Sequence, residues 1–280
     1  MVTHMAIHLR WLETTRLPVE LDGLVPADLA SLSGDQVARR PVPVGNRSSE
    51  LGELFAIRGD ASDGVIRFEG DLRTVSRIGL GLSGGLIEID GDVGPHLGAG
   101  MTGGSIHLRG SAGVWAGAGM RGGRLSIQGK AGNFLGGAYP GARLGMRDGV
   151  ILVQGDAGDS VGLAMRRGLI AVSGNIGKTP GHGMVAGTLV VGGSTGVGAG
   201  FGMKRGSIIL LGERGNADIL PSFFPSGPDR PPFLAFYLRQ LAAWGFPVRE
   251  HDHLRQYLRY NGDLAAGGQG EIWVSHHTTG

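Results

Sequence analysis

Apolar and polar residues alternate in short bursts through the middle of the chain. After a glycine, the third and fifth residues of each burst are aliphatic: Ile87/Ile89, Ile106/Leu108, Leu125/Ile127, Ile151/Val153, Ile170/Val172, Leu189/Val191 and Ile208/Leu210. Period-two alternation sets both side chains on one face of a short β-strand. The bursts recur at a fixed distance. Counted from Gly85, Gly104, Gly123, Gly149, Gly168, Gly187 and Gly206, five of six steps are 19 residues, and the step from Gly123 to Gly149 is 26. A looser copy begins at Gly64 and runs 21 residues.

Further columns follow from this alignment. Glycine holds position 7 (Gly91 to Gly212), position 10 (Gly94 to Gly215) and position 14 (Gly98 to Gly200) of the unit, and methionine holds position 17 from Met101 to Met203. A 19-residue unit is too short for a strand plus a helix. Strand, corner and second short strand fit one turn of a solenoid. The expected fold is therefore all-β: a right-handed parallel β-helix of about seven to eight coils, with a small N-terminal cap and a C-terminal helical segment. Residues 1–63 are read as the cap, 64–215 as the β-helix and 216–280 as the helical segment and tail. Each glycine column marks either a corner at positive φ or a lumen too tight for a Cβ. The methionine column fills the core.

Composition supports this placement. Of 280 residues 55 are glycine, 43 of them between 64 and 215. The 41% hydrophobic content excludes disorder, and only 13 prolines exclude collagen. Cysteine is absent, so thiolate metal sites and disulfides are excluded within the chain. The net charge of +2, from 23 Arg and 3 Lys against 24 acids, carries no nucleic-acid footprint. No apolar run spans a membrane, and the start MVTHMAIHLRWLE lacks a signal-peptide pattern, so a cytoplasmic location is expected.

Several motifs imitate chemistry. GLGLSG (79–84), GAGMTG (98–103) and GAGMRG (117–122) match the dinucleotide fingerprint, which needs a helix immediately after it; here strands follow. Asp92 and Asp156 share position 8, but Ser111 and Lys130 separate them, so no acid cluster forms. His96, His107 and His182 fall at different repeat positions; His251 and His253, two residues apart, would point to different faces of a helix, and His276 and His277 lie in the tail. No metal site and no catalytic residue is expected. A stand-alone β-helix enzyme would need such a cluster.

One charged column stands out. Position 18 carries Arg121, Arg147, Arg166 and Lys204, and position 19 adds Arg167 and Arg205. The strip reads as a solvated edge or as a face for an acidic partner or polyanionic ligand. The seven extra residues, GAYPGAR (137–143), loop out from one corner. In the flanks, Ile7–Leu12 and Leu54–Ile57 read as strands, and Pro26–Leu32 and Asp35–Arg39 as helical turns. Leu220–Pro232 is proline-rich, Phe233–Trp244 reads as a helix, His251–Tyr260 as a second amphipathic helix, and 263–280 as a tail.

The repeated G-x-[IL]-x-[VIL]-x-G-x-x-G with G-x-G-M corners resembles the glycine-rich β-helix shared by two groups. One is glutamate synthase. The other is the C subunit of formylmethanofuran dehydrogenase and of its bacterial relative, the formyltransferase/hydrolase complex. PVPVGNRSSELGELFAIRGD before the repeats and YLRYNGDLAAGGQGEIWV after them are similar to that C subunit. The glutamate synthase alternative would need long catalytic regions upstream. The resemblance implies a scaffold subunit with no cofactor of its own. Its implied partners are formyltransferase, amidohydrolase-like and molybdopterin-oxidoreductase-like subunits, with no nucleic acid and no membrane. A methanofuran-type coenzyme, tetrahydromethanopterin and metal ions belong to those partners. The bacterial complex converts formyl-tetrahydromethanopterin to formate; the archaeal enzyme interconverts carbon dioxide and formylmethanofuran on tungsten or molybdenum. The Arg-rich, Lys-poor composition favours the bacterial version. Methanofuran-type coenzymes carry glutamate chains, so the resemblance also allows the cationic strip to hold a polyglutamate tail.

Overall fold

A computed structural model describes residues 6–60, 62–212, 219–249, 252 and 255–276. Ahead of the repeats lie β1 (Ile7–Trp11), β2 (Val19–Glu20), α1 (Pro26–Leu29), α2 (Gly34–Ala38), β3 (Pro41–Val44), β4 (Arg47–Glu50), α3 (Leu51–Leu54) and β5 (Phe55–Arg58). The repeats supply β6 (Val65–Glu69), β7 (Val75–Ser76), β8 (Leu86–Asp90), β9 (Ser105–Leu108), β10 (Arg121–Ile127), β11 (Asp148–Val153), β12 (Leu169–Val172), β13 (Thr188–Val191) and β14 (Arg205–Leu210). After them come β15 (Phe224–Asp229), α4 (Pro232–Ala243), β16 (Gln256–Gly262) and β17 (Gln269–His276).

The protein is mostly β. Its large sheet has 13 strands in the order β15-β16-β17-β14-β13-β12-β11-β10-β9-β8-β6-β1-β5. From β1 to β17 every neighbouring pair is parallel, and the pairs beyond them are antiparallel, so the sheet is mixed. One inward column runs in register through the ladder: Ile7, Ile66, Ile87, Ile106, Leu125, Ile151, Ile170, Leu189, Ile208 and Ile272. All ten are fully buried. Isolated parallel bridges link Leu72, Val93, Ala112, Ala131, Ala157, Ile176 and Thr195 across the unit. All but Thr195 are buried apolar side chains, and the position-17 methionines are buried beside them.

The glycine columns divide into two physical kinds. Positions 1 and 14 have positive φ, for example +69° at Gly104 and +62° at Gly117. Position 7 does not require positive φ beyond Gly91; there the obstacle is the preceding repeat rather than a tight lumen. A Cβ on Gly110 would lie 2.3 Å from the Gly91 carbonyl oxygen.

The flanks join the ladder. β1 pairs with β6, and β17 continues it beyond β14. The expected strands near 7–12 and 54–57 and the turns near 26–32 and 35–39 form as β1, β5, α1 and α2. Ser33 caps α2 reciprocally with Gln36. The expected helix at 233–244 is α4, whose Leu234, Leu238 and Leu241 pack on the outer sheet face against Leu152, Ala171, Val190, Ile209 and Trp273.

The second amphipathic helix expected at 251–260 is corrected: residues 256–262 form β16. Its pairing with β17 is continuous from Gln256↔His276 to Gly262↔Gly270, and β17 would otherwise present an open edge. Tyr257 is buried on that strand and its hydroxyl donates to the Asp252 carbonyl at 2.7 Å. The proline-rich stretch likewise pairs as β15, and the expected tail contains β17 at Gln269–His276. His251, His253, His277 and Gly215 lie outside the described residues. Among the described residues no helix is long and apolar enough to cross a membrane.

Candidate functional site

The cationic column is real in three dimensions. Each position-18 N–H donates to a carbonyl of the preceding repeat: Arg121 to Met101, Arg147 to Met120, Arg166 to Met146, Val185 to Met165 and Lys204 to Met184. Arg121, Arg147, Arg166, Arg167, Lys204 and Arg205 are all exposed. Arg205 Nε donates to Gln269 Oε1 at 2.7 Å. The other five form no ion pair with another described residue. Asp148 stands in register with Arg121 on the neighbouring strand, and its Oδ1 accepts the Gly149 N–H at 2.7 Å.

Two acids of position 8 are engaged in backbone bonds. Asp92 Oδ1 accepts the Ser111 N–H at 2.7 Å, and Asp156 Oδ1 accepts the Asn175 N–H at 3.0 Å. Ser111 and Asn175 repeat the same bond toward Lys130 and Ser194. Position 8 is therefore a brace between successive repeats. The Asn175 N–H, followed by Lys130, holds the Asp156 carboxyl below its ordinary pKa. On the outer face, a hydrogen bond from Arg67 at 2.6 Å similarly lowers Glu88, and Arg109 pairs with Asp90. These groups line an open cleft of about 440 Å³ that ends at Trp244 and Phe246. Arg124 lies 4.7 Å over the Trp244 ring.

A feature missed in the sequence is an aromatic row at position 12. His96, Trp115 and Phe134 occupy it, all with φ between +62° and +66°. Trp115 stacks on Phe134 at 4.2 Å and on Tyr139 at 5.0 Å. Tyr139 comes from the seven-residue insertion, and its hydroxyl lies 2.8 Å from His96 Nδ1. Burial, then the nearby Arg77, lowers the His96 pKa, and burial raises that of Tyr139. The signal that could have found the row is the repeat position shared by His96, Trp115 and Phe134; comparing His96 with other histidines alone does not show it.

The three dinucleotide-like stretches lead into β8, β9 and β10, with no helix N-terminus to hold a pyrophosphate. Among the described residues no three His, Asp or Glu side chains gather as a metal-binding group.

No family model matches the chain. The C subunit of a molybdenum-containing formylmethanofuran dehydrogenase from Methanosarcina barkeri is 36% identical over 85 residues, covering 29% of this chain and 28% of that protein. The C subunit of the formyltransferase/hydrolase complex Fhc of Methylorubrum extorquens is 38% identical over 79 residues, covering 28% and 29% respectively. These alignments thus span less than a third of the curated relatives. The structural likeness is far more extensive. A chain in the crystal structure of the formyltransferase/hydrolase complex FhcABCD from Methylorubrum extorquens, in complex with methylofuran, superposes with a TM-score of 0.88 at 35% identity, covering 96% of this chain and 100% of that one. Agreement over a relative's whole chain, together with the names of the sequence relatives, establishes that this chain belongs to the C-subunit family of formylmethanofuran dehydrogenase and Fhc.

Proposed function

We propose that this chain is the non-catalytic scaffold subunit of a formyltransferase/hydrolase complex. That complex would convert formyl-tetrahydromethanopterin to formate through a formylated methanofuran-type coenzyme. The observation carrying this reading is the full-length likeness to a chain of FhcABCD, a complex crystallised with methylofuran. In this reading residues 1–63 cap a right-handed parallel β-helix over 64–215, and 216–280 closes its other end. The in-register parallel ladder and the second row of parallel bridges support the β-helix, and the general preference of parallel crossovers supports its hand. Formyltransferase, amidohydrolase-like and molybdopterin-oxidoreductase-like subunits would dock on its surface. The coenzymes and metal ions would sit in those subunits.

A second reading, the C subunit of a molybdenum formylmethanofuran dehydrogenase, is favoured by the names of the archaeal relatives at 36–37% identity. In both readings the chain organises other subunits. The native complex decides between them: formate released without an electron acceptor supports the first, and acceptor-dependent oxidation to carbon dioxide supports the second. Reassembly without this chain tests the scaffold role. Loss of assembled activity is expected, and full activity of the remaining subunits would sink it.

A further inference from the structure

The strip at positions 18 and 19 has a spacing as well as a charge, and the spacing points to the shape of what covers it. From Thr102 the position-18 column reads Thr102, Arg121, Arg147, Arg166, Val185, Lys204, with Arg167 and Arg205 flanking it. The ladder of bonds to the preceding methionine region keeps these residues at equivalent places on successive repeats. Strand spacing sets them about 4.8 Å apart, so Arg121 to Lys204 spans about 19 Å. Five exposed cations with no ion pair to another described residue stand along this edge and repel one another at that range, and the repulsion is relieved by carboxylates brought from outside.

We propose that an acidic α-helix of a partner subunit lies along this strip, parallel to the direction in which the repeats stack. The proposal rests on the reading that the chain works inside a multi-subunit complex. A helix rises 1.5 Å per residue, so same-face residues i, i+3, i+7, i+10 and i+14 reach about 21 Å, within about 2 Å of the strip. An extended strand places same-face residues about 6.8 Å apart, and five of them reach about 27 Å, leaving its last carboxylates beyond Lys204. Val185 interrupts the cations between Arg166 and Lys204. The helix therefore carries acids at i, i+3, i+7 and i+14, and an uncharged residue at i+10. Arginine suits the contact because its planar fork pairs with a carboxylate through two hydrogen bonds.

The test uses the intact complex. Lys204 supplies one native amine, and Arg121→Lys, Arg147→Lys and Arg166→Lys add three more without changing charge. Carbodiimide coupling then joins these amines to carboxylates in direct contact, and peptide mass spectrometry maps them. The expected result is a set of links into one partner segment at helical spacings of three, four and seven residues. Links scattered over separate segments or at alternating residues overturn the proposal, as does the absence of links in a complex whose native mass includes this chain. Failure of the unmodified chain to join any complex overturns instead the subunit reading. In a second arm, Arg121→Glu, Arg147→Glu and Arg166→Glu together are expected to raise the dissociation constant for the partner at least tenfold at low salt, with the gap narrowing at high salt. Unchanged affinity at low salt, with the circular dichroism of the chain preserved, also overturns it.

Discussion

Gly110 and Gly119 belong to the same repeat, and replacing each by alanine separates the two reasons for glycine in this fold. Gly119 has φ +62°, and a Cβ there meets nothing within 4 Å. Its substitution carries a left-handed backbone cost of about 1–2 kcal/mol, offset by about 0.4–1 kcal/mol from a less free unfolded chain. A net loss of about 0–1.6 kcal/mol follows. Gly110 has no positive φ, but its Cβ would lie 2.3 Å from the Gly91 oxygen, 2.5 Å from the Gly91 carbonyl carbon and 2.7 Å from the Asp92 nitrogen. All three are backbone atoms, so rotating a side chain relieves nothing. Repeats must separate by about 1 Å, weakening the bonds from Arg109 N–H to Ile89, from Ser111 N–H to Asp92 Oδ1 and from Gly113 N–H to Val93. At about 0.5–1.5 kcal/mol each, the expected loss is about 2–4 kcal/mol, or about 3–7 °C in a thermal melt of a 280-residue chain. Melts of both variants by far-ultraviolet circular dichroism give the comparison. Equal destabilisation, or a larger loss at Gly119, would refute the assignment of position 7 to close stacking.

Asp263 is buried, and its carboxylate accepts the Gly202 and Ala265 N–H groups at 3.0 Å each. Asp263→Ala is expected to cost about 2–3 kcal/mol in docking of the C-terminal segment, read as faster amide exchange in β17. Burial raises the Asp263 pKa, but the bonds from Ser222, Gly202 and Ala265 outweigh it and leave the pKa lowered. Its stabilisation is thus present at neutral pH and lost as pH falls through the lowered value; an acid titration of the Asp263→Ala variant should show a flatter stability curve over that range than the parent. Asp156→Ala removes the acceptor for Asn175 N–H and the ion pair to Lys130 at 2.9 Å, and is expected to cost about 1 kcal/mol by chemical denaturation. Tyr139→Phe removes the 2.8 Å contact with His96, and faster proteolysis within 137–143 is expected with the melt little changed.

The repeats are legible in the sequence because their signal is local: alternating aliphatics, a glycine where φ is positive, another where two backbones touch. The cationic strip is legible for the same reason, since equivalent sequence positions become neighbours in space. The aromatic row is legible only in part, as three rings at position 12 of successive repeats; that Tyr139 of the insertion joins it is not. The left-handed backbone of that position is hidden, because Arg77, His96, Trp115, Phe134, Ser160 and Thr179 share it, with φ from +52° to +66°, without sharing a side-chain type. The strands after residue 220 are hidden differently. Gln256–Gly262 has helical spacing in its apolar residues, yet its conformation follows from pairing with β17, whose own position depends on β14. Such dependence crosses the chain and leaves no short-range pattern. The acids of position 8 look in the sequence like candidate catalysts that fail to cluster; in the structure Asp92 and Asp156 share with Ser111 and Asn175 the task of accepting a backbone N–H from the next repeat.

The reversal of strand direction at both ends of the ladder has a consequence for size. A parallel stack offers each terminal strand as a template for another copy, and nothing inside a repeat says when to stop. Here β5 turns back against β1, and β16 and β15 turn back against β17, with Pro225 and Pro228 unable to donate from the last edge. Ten parallel rungs are left between these stops, nine intervals of about 4.8 Å, or about 43 Å. The protein is thereby a ruler graduated in repeats: inserting or deleting one 19-residue unit would change the distance between its two terminal stops by a single graduation of about 4.8 Å.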